Sequence, residues 1–172
     1  MKTVVANWKM QLGVRESVAL ARGVLRGMRG MKTVPHVVLA PSFSALADVG
    51  KVLGKSRVHM AAQDVHESET GAYTGSVSVR QLKELGVYAV ILGHSERRQF
   101  AHETDDQVKA KVLRAVEHGL EPIMCVGEPV GIKDAGETQG FIHEQIRSVF
   151  EKSTLPRHTH IMIAYEPIWA IG

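Results

Sequence analysis

Three side chains of different chemistry, Lys9, His94 and Glu166, each follow a short apolar run. A lysine can stabilise developing negative charge, a histidine can act as electrophile and proton carrier, and a carboxylate can take a proton from carbon. Each also has an ordinary reading. A lysine after a strand is usually a solvated surface group. A histidine ahead of Ser95-Glu96 can simply open a helix, and a carboxylate before Pro167 can simply end a strand. Cys125, the one cysteine, reads as a small packed residue rather than a nucleophile, and a lone thiol cannot form an internal disulfide, which suggests a reducing compartment.

The elements that carry these residues alternate in a regular way. Thr3 to Ala6, His36 to Ala40, Val58 to Ala62, Val87 to Leu92, Pro122 to Val126 and Ile161 to Ala164 read as short strands. Helical faces lie between them. Val14, Val18, Ala21, Leu25 and Met28 form the first, ended by Gly30. A small helix runs from about Ser44 to Leu53, and Val79, Leu82 and Leu85 form a third face with Gly86 as its stop. Val108, Val112 and Ala115 carry the fourth toward Gly119, and Ile142, Ile146 and Val149 the fifth. Five strand–helix units and one further strand imply a parallel α/β sheet with right-handed crossovers. An open doubly wound sheet and part of an eight-fold barrel both fit that pattern. In both, chemistry sits at the carboxyl ends of strands, where Lys9, His94 and Glu166 fall.

Composition narrows the function classes. The 172 residues are 44% hydrophobic and 23% charged, with a formal net charge of +3, as in an ordinary globular domain, here one domain over residues 1–172. The charges are mixed in sign, with no long basic block, so nucleic acid is not an expected partner. The apolar run of residues 1–6 is too short for a secretory signal, and nothing reaches the ~18 apolar residues of a membrane span. The expected location is the cytoplasm, with no membrane partner.

Longer motifs sit at the strand ends. They are Asn7-Trp8-Lys9-Met10, Gly93-His94-Ser95-Glu96-Arg97-Arg98, Cys125-Val126-Gly127-Glu128, and Ala164-Tyr165-Glu166-Pro167-Ile168-Trp169-Ala170-Ile171-Gly172. Ala62-Gln63 and Gly71-Ala72-Tyr73-Thr74-Gly75 add a further loop signature. In this order and spacing, the set resembles the triosephosphate isomerase family from the first strand to the last residue. The six-residue and nine-residue stretches carry most of that likeness.

The resemblance implies a (β/α)8 TIM barrel and the interconversion of dihydroxyacetone phosphate and glyceraldehyde 3-phosphate through an enediolate, with no cofactor or metal. It implies that Glu166 is the base. His94 would polarise the carbonyl as a neutral imidazole, a known property of that family. Lys9 would stabilise negative charge, with Asn7 beside it in the substrate site. Glu96 would balance Lys9, and Ser95 would hold the base while the lid is open. Pro167-Ile168-Trp169 would be the lid's first hinge, and Gly172 would offer its backbone N–H to the substrate phosphate.

A barrel of this type usually spans ~250 residues. The expectation is therefore a fragment of about six strands and five helices, lacking strands seven and eight and their phosphate-holding loops. Lost remote binding energy lowers turnover as well as affinity, and strands one and six would be open edges. The family also implies a homodimer in which the third loop, here with Thr74 near its tip, inserts into a neighbour. Gln11, Asp64 and Ser76 depart from the family pattern, which usually has asparagine, asparagine and glutamate there. A second reading is a non-catalytic fragment that binds a partner or a phosphate ligand. A third, a flavodoxin-like domain, expects a glycine-rich turn after strand one, and Asn7 to Gln11 offers none.

Overall fold

The computed structural model describes residues 2–171. Its six strands are β1 (Thr3–Asn7), β2 (His36–Ala40), β3 (Val58–Ala62), β4 (Ala89–Leu92), β5 (Glu121–Val126) and β6 (Met162–Tyr165). They lie side by side in chain order, and each adjacent pair is parallel. A doubly wound sheet reverses strand order at a switch point. This sheet never reverses, so it is the arc of a (β/α)8 barrel, with β1 and β6 as its edges among the described residues.

The helices are α1 (Val14–Gly27), α2 (Leu46–Leu53), α3 (Val79–Glu84), α4 (Ser95–Phe100), α5 (Asp105–Glu117), α6 (Val130–Asp134) and α7 (Thr138–Phe150). The five expected crossovers are α1, α2, α3, α5 and α7. The short α4 and α6 are additions, placed in the connections that leave β4 and β5. Local chemistry explains the boundaries. Ser78 and Gln81 form a capping box on α3, as Thr104 and Gln107 do on α5. Gly86, at φ 74°, turns the chain out of α3 toward β4. None of these helices is long and apolar enough to cross a membrane.

Strand side chains alternate between two packed layers. Val37, Leu39, Met60, Val90, Leu92 and Met124 face outward and join Leu46, Val49, Leu82, Val108, Val112 and Val149 beneath the helices. Val38, Ala40, Ala61, Ala89, Ile91, Ile123 and Cys125 face the barrel axis. Burial on both faces is why the inner strands β2 to β5 read as nearly continuous apolar runs, whereas the edge strands β1 and β6 are partly exposed. Each fully buried Leu, Val or Met contributes ~1.5–3 kcal/mol, so the outer layer supplies most of the apolar stabilisation.

Two polar assemblies interrupt this packing. At the amino ends of the strands, the His36 and His59 rings lie 4.8 Å apart and Tyr88 stacks 4.5 Å from His59. The Tyr88 hydroxyl donates to Glu121, and His160 Nδ1 lies 2.8 Å from the same carboxylate. Nearer the carboxyl ends, buried Lys111 of α5 binds Glu103 and lies 2.8 Å from Asp64 Oδ1. Arg97 of α4 spans the same two acids, at 2.9 Å from Asp64 and 3.3 Å from Glu103. This network fastens α4 to the end of β3 and to α5. Burial pushes the Asp64 carboxyl up, against the pull of Lys111.

Candidate active site

The carboxyl ends of β1, β4 and β6 bring Lys9, His94 and Glu166 to one recess. The recess is about 360 Å³ and is lined by Asn7, Lys9, His94, Glu166, Ala170 and Ile171. Residues from opposite ends of the sequence share a surface because the sheet curls.

The β1 end holds Lys9 in an unusual backbone state. Its φ is 50°, the left-handed region that costs a side-chain-bearing residue ~1–2 kcal/mol. Two polar groups support the turn. Asn7 Oδ1 accepts the Lys9 N–H at 2.9 Å. Gln63 Nε2 donates at 2.9 Å both to the Lys9 carbonyl and to that of Ala40. So placed, Lys9 Nζ lies 2.9 Å from Glu96 Oε1.

His94 is the N-cap of α4 and is only 6% exposed. Its Nδ1 accepts the Glu96 backbone N–H at 3.2 Å. The same nitrogen lies 3.5 Å from Glu96 Oε2. Nε2 points at Glu166 Oε1, 3.3 Å away.

Glu166 leaves β6 with its N–H donating to the Val126 carbonyl at 2.7 Å. Besides His94, its carboxylate meets Cys125 Sγ at 3.3 Å and, at a long 3.5 Å, Ser95 Oγ. Burial and the Glu166 carboxylate push the Cys125 thiol far up, so it is an inert, packed group, as its sequence context suggests. The Glu166 backbone also runs against Gly127. A Cβ built on Gly127 would lie 1.8 Å from the Glu166 carbonyl oxygen, so only a hydrogen at position 127 lets β5 and β6 end this close together.

Behind Glu166, the next turn is tied to Glu128. This carboxylate is 1% exposed. It accepts from the Tyr165 hydroxyl at 3.0 Å, from Trp169 Nε1 at 2.9 Å and from Thr138 Oγ1 at 3.3 Å. The Trp169 bond does most to hold the Glu128 carboxyl below its usual range, with Tyr165 and Thr138 acting in the same direction. Lys133 of α6 sits 3.9 Å from the Trp169 ring centre.

Asn7, Lys9, His94, Ser95, Glu96 and Glu166 are thus gathered within one constellation, as expected from their positions. Gly172 lies outside the described residues. Among the described residues, no group of three or more His, Cys, Asp or Glu side chains is arranged to hold a metal ion.

Residues 2–172 match the family model of triosephosphate isomerase. The chain belongs to the triosephosphate isomerase family. It is 41% identical over 171 residues to the triosephosphate isomerase of Chlorobium phaeobacteroides, covering 99% of this chain and 68% of that one. It is 46% identical over 170 residues to that of Treponema pallidum, covering 98% of this chain and 67% of that protein. The crystal structure of triosephosphate isomerase from Bartonella henselae superposes with a TM-score of 0.87 at 31% identity, covering 98% of this chain and 69% of that one. The barrel arc and the isomerase class are therefore those of triosephosphate isomerases, and this chain spans about two thirds of the length of the relatives named.

Three residues of this rim carry no signal of their role in the sequence. Gln63 pins the Lys9 turn, Glu128 ties down the segment after Glu166, and Gln145 Oε1 accepts the Gly127 N–H at 2.9 Å. Gln63 and Glu128 lie inside motifs that flagged their neighbourhood. Nothing in the sequence marks their partners, since Glu128 lies 37 and 41 residues from Tyr165 and Trp169. Gln145 carries no sequence signal beyond its place on α7.

Proposed function

We propose that this chain carries the proton-transfer machinery of a triosephosphate isomerase and acts on dihydroxyacetone phosphate and glyceraldehyde 3-phosphate. One observation supports it most directly. The Glu166 carboxylate lies 3.3 Å from His94 Nε2, beside Lys9, in a recess at the carboxyl ends of parallel strands. This is a base, a hydrogen-bond donor and a cation within reach of one small molecule.

In this reading Glu166 removes the proton from the carbon next to the carbonyl. Electron density moves onto the carbonyl oxygen, where His94 Nε2–H donates and stabilises the enediolate. The proton returns from Glu166 to the neighbouring carbon, and His94 exchanges protons between the two oxygens. Lys9 opposes the developing charge. Its pairing with Glu96 at 2.9 Å fixes its direction and offsets its own charge while the site is empty. Asn7 holds the Lys9 turn and lines the substrate recess. Ser95 and Cys125 hold the carboxylate of Glu166 against the β5 end until substrate arrives. Gly172, one residue past the recess wall at Ile171, is proposed to offer its N–H to the phosphate, and residues 167–172 to act as the covering loop.

The test is isomerase activity of the purified chain on glyceraldehyde 3-phosphate, beside an identically purified Glu166→Gln variant that exposes any contaminating host enzyme. Activity lost in the variant supports the proposal. Equal residual rates in both reject it for this chain and favour the reading of a partner- or phosphate-binding fragment.

A further inference from the structure

A second recess, of about 520 Å³, opens on the far side of the Glu166 segment, between α4 and α7. Its volume is within the range of small-molecule sites, ~300–1,000 Å³. Phe141, Ile168 and Pro129 give it apolar walls, and Gly127 adds a wall without a side chain.

The polar groups around it are largely engaged with one another. Arg98 Nε donates to the Gly93 carbonyl at 2.8 Å and its Nη1 lies 2.6 Å from Asp105, while Nη2 has no hydrogen-bond partner among the described residues and is closed off against Gly93. Glu144 is held by Arg147 at 3.1 and 3.3 Å. Gln145 accepts from Gly127. Because Arg98 Nη2 is sealed from the recess, a charged ligand would have to break one of these pairs or displace the Gly93 wall. Gln99, exposed on α4, supplies one adaptable amide.

The recess shares its walls with the groups that hold Glu166. Gly127 touches the Glu166 carbonyl, and Ser95 Oγ reaches its carboxylate. Ile168 is two residues further on, its N–H donating to the Glu128 carbonyl at 3.2 Å. A molecule seated there bears on the backbone on either side of the carboxylate.

We propose that this recess binds a small uncharged aromatic molecule with one polar edge, and that its occupancy displaces Glu166. The ring packs on Phe141 and Ile168, and the polar edge meets Gln99. The effect on catalysis rests on the reading of Glu166 given above; the binding does not.

The experiment is an indole titration of the ¹⁵N-labelled chain, followed by backbone amide shifts and so independent of turnover. A fragment of about nine heavy atoms in such a slot reaches a dissociation constant on the order of 1 mM. The expected result is saturable movement of the Gly127, Phe141 and Ile168 amides together with that of Glu166. Gln99→Trp, an exposed substitution that plugs the mouth, should abolish the shifts. Phe141→Ala, which removes one wall, should weaken binding about tenfold, on the scale set by losing one apolar contact surface. Shifts that grow without saturating, that centre on another surface, or that persist in both variants overturn the site. Saturable shifts that leave the Glu166 amide in place overturn the coupling.

Discussion

The two rims of the sheet hold similar side chains and put them to opposite ends. The carboxyl rim carries His94, Glu96, Glu166 and Lys9; the amino rim carries His36, His59, His160, Glu121 and Tyr88. At the amino rim the groups turn toward one another. Glu121 accepts from Tyr88 and pairs with His160, and the His36 and His59 rings pack edge to face. At the carboxyl rim, Lys9 pairs with Glu96 and Glu166 with His94, and each group is also braced through its own backbone turn or a backbone N–H. Asn7 and Gln63 hold the Lys9 turn, Glu96 N–H orients His94, and Gly127 admits the Glu166 backbone. Residue type alone does not distinguish the two rims; the bracing behind each group does. This agrees with the general division of α/β barrels into a working carboxyl face and a stabilising amino face.

The sharpest way to break the comparison is to remove one carboxylate from each rim. Glu166→Gln should lower turnover by ~10²–10⁴-fold, the scale of a positioned general base, with an unchanged thermal midpoint. Glu121→Gln should do the reverse, leaving turnover alone and costing ~1 kcal/mol in denaturant unfolding through weakened Tyr88 and His160 bonds. If Glu121→Gln lowers turnover as much as Glu166→Gln does, the division between the rims fails.

The next effect tests the support behind the carboxyl rim. Lys111→Met leaves Glu103, whose side chain is 2% exposed, with Arg97 at 3.3 Å as its remaining cation. Removing one member of such a pair costs ~3–5 kcal/mol. Urea unfolding should show that loss. Turnover measured well below the new midpoint should also fall, because Arg97 of α4 must then balance Asp64 and Glu103 alone. Stability lost with turnover intact would show that α4 holds its place without the network.

Lys9→Gly separates stability from chemistry at a single residue. Relief of ~1–2 kcal/mol of left-handed strain offsets the extra freedom of glycine in the unfolded chain. Calorimetry should therefore find little change or a small gain in stability, while turnover drops. A clear loss of stability would mean that the pair with Glu96 outweighs the strain.

The smallest effects are acid and alkaline responses of the amino rim. Burial, reinforced by His36 and opposed by Glu121, lowers the His59 pKa. Below the ordinary histidine value near ~6.5 the unfolded chain binds a proton first, so stability should fall as pH drops from there toward the lowered folded value. His59→Phe should flatten that decline. At the other extreme, the bond to Glu121 pushes the Tyr88 phenol up to about 12. Its stabilisation is whole below the ordinary value of ~10 and is lost as pH rises from there to the folded value. Absorbance titration of the tyrosines should show one late-ionising group that disappears in Glu121→Gln.

Much of this was legible in the chain itself. β2 and β3 have the bounds expected for them, His36–Ala40 and Val58–Ala62, and α5 and α7 follow their apolar faces, because burial imposes the periodicity directly. The short α6 was not, since five residues containing Gly131 carry no helical period. That His94, Glu166 and Lys9 share one rim was legible, because each follows the carboxyl end of a strand in a parallel sheet. Their supports were not. Asp64 meets Lys111 across 47 residues, and Tyr88 meets Glu121 across 33. Such pairings follow from strand register and helix tilt, which no local pattern records.

The close approach at Gly127 has a bearing on how variants of this chain are interpreted. Position 127 contributes no reactive group, no charge and no apolar area, so a survey of functional side chains would pass over it. Yet a single added methyl there collides with the Glu166 main chain at 1.8 Å and must push the carboxylate off its station. A natural variant with every acid, base and cation intact but alanine at this position would look like a working gene and be a broken one. At this site the diagnostic is a missing atom.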